Sequence, residues 1–128
     1  MLKTKARIVP LYFKDGDKKE FQRILGALKE IYEKEAEFLP AREVGEKIGE
    51  EADAVLFPVL WTNVYTEIDR LMETIQVPVL VLTTAVGVSL MFDWEAVAYM
   101  KQKGLSVFNP HSADLARTIF KALALKRE

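Results

Sequence analysis

The chain has 128 residues, half of them hydrophobic, and carries 18 lysines and arginines against 19 aspartates and glutamates. This length suits one domain with one core, and the balanced charge argues against nucleic acid as a partner, because no basic excess is available to neutralise phosphates. The absence of cysteine excludes disulfides, thiolate metal sites and a cysteine nucleophile. The N-terminal sequence MLKTKARIVPLYF lacks a signal-peptide core, and no stretch approaches the ~20 apolar residues of a membrane helix, so we expect a cytoplasmic protein with no membrane partner.

Apolar runs alternate with helical patterns along the whole chain. After the first run, Asp17 is typical of a helix N-cap, with Glu20 three residues later as its capping-box partner. Near the other end, Gly104 is typical of a helix stop. The predicted strands are 6–13, 36–39, 53–57, 77–84 and 105–109. Of the five predicted helices, the first begins at Asp17, the second extends from Ala41 to Glu51, the third follows Asn63, the fourth ends at Gly104 and the fifth begins at Ser112.

Five strand–helix units in succession predict a parallel sheet with right-handed crossovers. For a five-stranded open sheet of this length we expect the strand order 2-1-3-4-5 and a flavodoxin-like fold of three layers. Residues 1–128 would form one α/β domain. Because the sequence ends while its pattern is still helical, we expect this domain to be the N-terminal part of a longer protein.

A ligand site is expected where the strand order reverses, beyond the carboxyl ends of strands one and three. The loops there would be Lys14–Asp17 and Pro58–Asn63. Trp61 offers a flat apolar face with one N–H donor, and Thr62, Asn63 and Asp15 offer hydrogen bonds, a combination that suits a sugar or polyol. Each of these residues also has a purely structural interpretation. Trp61 would pack onto its own domain, Thr62 and Asn63 would cap the next helix, and Asp15 would form a simple turn followed by the helix cap at Asp17.

A dense apolar cluster follows the fourth predicted strand and should be covered by something, since loops are normally polar. The cover could be another subunit, a downstream domain absent from this sequence, or the domain's own fold. This cluster supports an alternative function, in which the chain is a stand-alone interaction or regulatory module that oligomerises. The cluster consists of Val86, Val88, Leu90, Met91, Phe92 and Trp94.

The sequence lacks the motifs of several common binding and catalytic sites. The first predicted loop, FKDGDKK, contains neither G-x-G-x-x-G nor a phosphate loop, and no serine lies in a nucleophile elbow. His111 is the only histidine and cannot by itself make a metal site. An independent small-molecule enzyme working through Asp15, Asp17 and His111 is a third, less favoured interpretation.

The segments ADAVLFPVLWTNVYTEIDRLMETIQVPVLVLTT and DWEAVAYMKQKGLSVFNPHSADLARTIFKALALKRE resemble the amino-terminal part of the L-fucose and L-arabinose isomerase family. The resemblance covers about residues 50–128. It implies a domain that is catalytically inert alone and that contributes Trp61 to a sugar site shared with a neighbouring subunit. Asp15 and Gly16 lie where members of the family carry an Asp-Gly pair after the first strand. It also implies carbohydrate metabolism as the setting. Manganese or another divalent metal would be bound by later domains, with no cofactor in this chain.

Overall fold

The computed structural model describes residues 5–59, 63–82, 91–110 and 112–127. The strands are β1 (Ala6–Tyr12), β2 (Ala36–Phe38), β3 (Arg42–Glu43), β4 (Ala54–Leu56), β5 (Val79–Leu80) and β6 (Val107–Phe108). The helices are α1 (Lys18–Tyr32), α2 (Asn63–Thr66), α3 (Ile68–Thr74), α4 (Met91–Lys103) and α5 (Ala113–Arg127). Among these described helices, none is both long enough and apolar enough to cross a membrane.

The strands form one parallel sheet in the order β2-β1-β4-β5-β6. The short strand β3 also pairs with β1, next to the part of β1 that lies beyond β2. Residues 39–41 interrupt this edge, so that β2 and β3 together occupy one strand position. Counted by position, the order is the predicted 2-1-3-4-5, and the fold is flavodoxin-like with one strand more than the sequence indicated.

The predicted helix from Ala41 to Glu51 is wrong. These described residues form β3, a turn, and an isolated bridge between Ile48 and Ile75, in which the Ile48 N–H donates to the Thr74 carbonyl at 2.8 Å. Gly45 has a φ of +113°, which a helix does not allow and which L side chains rarely adopt. This crossover therefore contains no helix.

Other element ends differ less from the predictions. Of the predicted strand 77–84, the described residues 77–82 are regular only over β5, although the Val81 N–H still donates to the Phe108 carbonyl at 3.0 Å, and 83–84 lie outside the described residues. The predicted helix after Asn63 is divided at Glu67 into α2 and α3. Gly104 ends α4 as predicted, with a φ of +112°.

Two apolar clusters cover the two faces of the sheet. One packs α3 and α4, through residues such as Leu71 and Met100, against Val9, Val55 and Val79. The other packs α1 and α5, through residues such as Leu28 and Phe120, against Ile8, Leu56 and Leu80. The strand residues divide between the clusters by alternation, because successive side chains of a strand point to opposite faces. This is the predicted three-layer arrangement.

Candidate functional site

A cavity of about 640 Å³ lies at the carboxyl end of β1. Its wall comes from the loop after β1, the first turn of α1, the β3 edge, and Val59 after β4. The lining residues are Tyr12, Phe13, Lys14, Asp15, Gly16, Asp17, Lys18, Phe21, Gln22, Ala41, Glu43 and Val59. The volume is within the usual range for small-molecule sites, and the position is the sheet edge at which α/β proteins bind ligands.

The loop after β1 is held by its own hydrogen bonds. The Gly16 N–H donates to the Phe13 carbonyl at 2.9 Å, which closes a turn over Lys14 and Asp15. One residue later, the Asp17 carboxylate accepts from the Glu20 N–H at 3.1 Å, so the predicted N-cap is confirmed. The Glu20 side chain binds Arg23 rather than completing the capping box. The loop is thereby fixed between a strand end and a helix start.

Aromatic rings form the apolar part of the wall. Phe13 is 3% exposed and stacks on Phe57 of the next strand position, with ring centroids 5.4 Å apart and planes 12° apart. Tyr12 meets Phe21 of α1 edge-on, with centroids 5.6 Å apart. These contacts join β1 to both β4 and α1 and give the cavity a rigid floor.

The β3 edge brings Glu43 to the cavity. The Glu43 backbone pairs with Tyr12, and the Val44 N–H donates to the Tyr12 carbonyl at 2.9 Å. The turn that follows is stabilised because the Glu43 N–H donates to the Glu46 carboxylate at 3.1 Å. Glu43 therefore owes its place at the site to a strand pairing.

The segment behind this edge is fastened by Glu51. Its carboxylate accepts from the Gly49 N–H and from Arg42, the latter at 2.9 Å. Hydrogen bonds from its own amide and that of Gly49 lower the pKa of the Glu51 carboxyl, and Arg42 adds to this effect. These contacts connect the start and the end of the loop from β3 to Glu51 and so stabilise the rim of the cavity.

The polar groups of the cavity have few protein partners. Asp17 is engaged as a helix cap, whereas the side chains of Lys14, Asp15, Lys18 and Glu43 have no hydrogen-bond or ion-pair partner among the residues that the structure describes. Carboxylates accept and ammonium groups donate hydrogen bonds. The cavity can therefore offer both kinds of hydrogen bond to a ligand.

The structure positions some of the predicted binding residues and not others. Asp15 is exposed and lines the cavity. Asn63 is the first residue of α2, and Trp61 and Thr62 lie outside the described residues. Of the predicted first and third loops, the first supplies most of the wall, whereas the third supplies Val59.

The predicted interface cluster is also only partly described. Val86, Val88 and Leu90 lie outside the described residues, as does His111. Met91, Phe92 and Trp94 belong to the first turn of α4. Burial of this cluster stays a prediction.

Sequence reasoning missed the edge-strand side of the cavity, namely Ala41 and Glu43, because it assigned both to a helix. Gly45 and Gly49 could have indicated that this segment is not a helix, because two glycines among its eleven residues disfavour one. It also missed Gln22 and Phe21 of α1, which line the cavity from the helix side. Within the described ranges, no group of three or more histidine, cysteine or acidic side chains is arranged to hold a metal ion.

Fold and cavity together define a flavodoxin-like α/β domain with a cavity of mixed aromatic and charged lining at the carboxyl edge of its sheet. No protein-family model matches the chain, and neither a curated protein nor a solved structure matches it.

Proposed function

We propose that this chain is a carbohydrate-binding domain of a sugar isomerase-like protein and that the cavity at the end of β1 takes a neutral sugar or polyol. In this proposal the domain contributes substrate binding and subunit assembly and performs no chemical step by itself. The metal-dependent step that the isomerase resemblance implies would belong to other domains.

The observation that carries the proposal is the pairing of an aromatic floor with unpartnered polar groups in one cavity. Tyr12 and Val59, which are half-buried, offer apolar surface, and Asp15 and Glu43 offer hydrogen-bond acceptors. A sugar presents the complement of this wall, since its C–H face is apolar and each hydroxyl both donates and accepts.

The charge of the wall favours a neutral ligand. Three carboxylates and two ammonium groups line the cavity, so no positive excess is present to attract a phosphate or a carboxylate. The Lys14 and Lys18 side chains can donate to ring or hydroxyl oxygens while the carboxylates accept from hydroxyl groups. We therefore expect the unmodified sugar to bind more tightly than its phosphate ester.

The role proposed for Trp61 rests on its position in the sequence. Val59 lines the cavity, and Trp61 follows two residues later. Stacking of an indole on the C–H face of a sugar is the contact that Trp61 would supply, with Thr62 and Asn63 as further hydrogen-bonding groups.

The first experiment is a calorimetric titration of the full chain with a panel of aldoses and ketoses, each compared with its phosphate ester. Asp15→Asn and Glu43→Gln keep the side-chain shape but remove a charged acceptor, and each is expected to weaken binding by about tenfold, because a hydrogen bond to a charged group contributes about 1.5–3 kcal/mol. Glu37→Gln on the exposed edge strand β2 is the matched control and should leave affinity unchanged. The absence of saturable binding across the panel, or tighter binding of the phosphate esters, would contradict the proposal.

A second experiment isolates the tryptophan. In a Trp94→Phe background the remaining indole is Trp61, since the chain has two tryptophans. A saturable change in fluorescence with the sugars selected by calorimetry would support stacking on Trp61. If binding by calorimetry is retained in Trp61→Ala with full affinity, the cavity binds sugar without this residue.

A further inference from the structure

The edge of the sheet beside β1 contains one residue more than β1 itself. Ile8 of β1 pairs with Phe38 of β2. Three residues later in β1, Leu11 pairs with Arg42 of β3, which lies four residues after Phe38. One extra residue is therefore inserted within the interruption at 39–41. Such a bulge reverses the face to which the later side chains of the strand point, because side chains alternate along a strand.

The core packing shows the same change of face. Leu39 packs against the apolar cluster of α3 and α4, and Val44 is buried in that cluster. Residues five positions apart point to opposite faces of an uninterrupted strand, so an extra residue must lie between these two. Phe38 packs against the other cluster, that of α1 and α5. By the same alternation, Arg42 lies on the face of Val44, and Glu43 lies on the α1 face, where it lines the cavity.

Two prolines explain why the pairing is interrupted at this place. The even residues of β1 present their backbone groups to this edge, since the Ile8 and Tyr12 carbonyls accept from it at 2.8 and 2.9 Å. Pro10 lies between them and has no N–H to donate, and Pro40 on the edge segment has none either. The extra residue is therefore inserted where neither proline leaves an N–H without a partner.

The bulge determines the charge that the cavity presents. Arg42 turns away from the cavity to its own loop, where its guanidinium donates to the Lys47 carbonyl at 3.3 Å and to the Glu51 carboxylate at 2.9 Å. Without the extra residue, Arg42 would lie opposite Tyr12 and face the cavity in place of Glu43. The wall would then contain three cations and two carboxylates, whereas it contains two cations and three carboxylates.

We propose that Glu43 is the specificity-determining residue of the cavity and that the bulge at 39–41 gives it this role. The Glu43 carboxylate accepts from the hydroxyl groups of an unmodified sugar and repels the phosphate group of a sugar phosphate. This role rests on the proposed function, in which the cavity takes a neutral sugar. It adds the class of ligand that the site rejects, namely phosphorylated sugars.

Reversal of the charge at position 43 tests this role by calorimetry. The probes are inorganic phosphate, the aldose that the wild-type chain binds most tightly, and the phosphate ester of that aldose. Glu43→Arg should bind phosphate and the ester about tenfold more tightly than wild type, because a charge-assisted hydrogen bond replaces a repulsion. It should bind the unmodified aldose no more tightly.

Glu50→Arg is the matched control for this charge reversal. Glu50 is exposed on the loop that follows β3 and does not line the cavity, and its replacement changes the net charge by the same amount. Its affinities for all three probes should equal those of wild type.

Amide hydrogen exchange in the ligand-free chain tests the direction of Glu43. In this structure the Val44 N–H donates to the Tyr12 carbonyl, whereas the Glu43 N–H donates to the exposed Glu46 carboxylate. After correction for intrinsic rates, we expect the Val44 amide to be the more strongly protected of the two. Without the bulge, the Glu43 N–H would donate to the Tyr12 carbonyl, and the order of protection would be reversed.

Three results would overturn the proposal. They are a Glu43→Arg chain that binds phosphate and the ester no more tightly than wild type, an equal gain in Glu50→Arg, and stronger protection of the Glu43 amide than of the Val44 amide. A wild-type chain that binds no sugar contradicts the proposed function and this role with it. A chain that binds sugar but shows one of the three results contradicts the role of Glu43 alone.

Discussion

At the residue scale, Tyr32 combines complete burial with an unpaired polar atom. Its side chain is fully buried at the end of α1, and its hydroxyl has no hydrogen-bond partner among the described residues. The ring itself is well packed, since it meets Phe120 edge-on with centroids 5.1 Å apart and lies 5.6 Å from the Arg117 guanidinium. The ring therefore stabilises the α1–α5 contact, whereas the buried hydroxyl costs desolvation energy.

We expect Tyr32→Phe to raise the free energy of unfolding by about 1 kcal/mol, because it keeps the ring contacts and removes the unpaired hydroxyl. Urea denaturation followed by circular dichroism at pH 7 measures this change. Tyr12→Phe, at a half-buried tyrosine, is the control and should change stability by less than about 0.5 kcal/mol. A marked loss of stability in Tyr32→Phe would show that the hydroxyl has a partner in solution.

The same residue predicts a dependence on pH. Burial raises the pKa of the Tyr32 phenol, while Arg117 partly opposes this and Glu35 adds to it. In the unfolded chain the phenol ionises near pH 10. The stability contributed by the protonated folded form is therefore complete below about pH 10 and is lost as the pH rises through the folded pKa. The stability difference between Tyr32→Phe and wild type should widen above that pH, and a constant difference would contradict the raised pKa.

At the element scale, two glycines have opposite roles in two helices. Gly104 directly follows α4 with a φ of +112°, and its N–H donates to the Lys101 carbonyl while the Leu105 N–H donates to the Met100 carbonyl, both at 3.1 Å. This is the Schellman arrangement, which needs a left-handed residue. Gly26 instead lies inside α1, where an added Cβ would meet no atom within 4 Å.

We expect Gly104→Ala to destabilise the protein by about 1 kcal/mol, because alanine is strained at this backbone conformation. Its Cβ would also lie 3.3 Å from the Met72 side chain. Gly26→Ala should stabilise the protein by about 0.5–1 kcal/mol, because alanine loses less conformational entropy in a helix. Thermal unfolding of both variants provides the comparison, and changes of the same sign would refute the distinction.

The elements also show how far the sequence predicts this structure. Strand order, the Asp17 cap and the Gly104 stop follow from local patterns, because buried parallel strands are apolar runs and helix ends need particular residues. The segment from Ala41 to Glu51 does not follow from them. Val44 and Ile48 are four residues apart, as in a helix, but here one is buried beside the β3 edge and the other bridges to Ile75.

This local error concealed the β3 side of the candidate site, namely Ala41 and Glu43. Asp15 could be assigned to a strand-end loop, and the structure places it at the cavity. Glu43 could not be assigned to the site, because its position depends on a two-residue pairing with Leu11 and Tyr12 that no sequence period encodes. Pairings this short are decided by tertiary contacts rather than by propensity.

At the scale of the whole molecule, the sheet separates two apolar clusters that share no residue. Leu71 belongs to the cluster under α3 and α4, Phe120 belongs to the cluster under α1 and α5, and both are fully buried. The central strands connect these clusters, because β1, β4 and β5 each contribute side chains to both. A domain of this kind should unfold in one transition even though the packing on its two faces is independent.

This arrangement predicts additive effects across the sheet and coupled effects within one face. Leu71→Ala should cost about 3 kcal/mol, and Phe120→Leu should cost about 1 kcal/mol. Because the two side chains lie in different clusters, the double variant should show their sum to within about 0.5 kcal/mol. Tyr32→Leu combined with Phe120→Leu should instead deviate from additivity by about 0.5–1.5 kcal/mol, since those rings are in direct contact. Urea denaturation of the three single and two double variants at pH 7 gives both coupling energies. A coupling across the sheet as large as that within the ring pair would mean that the two faces do not pack independently.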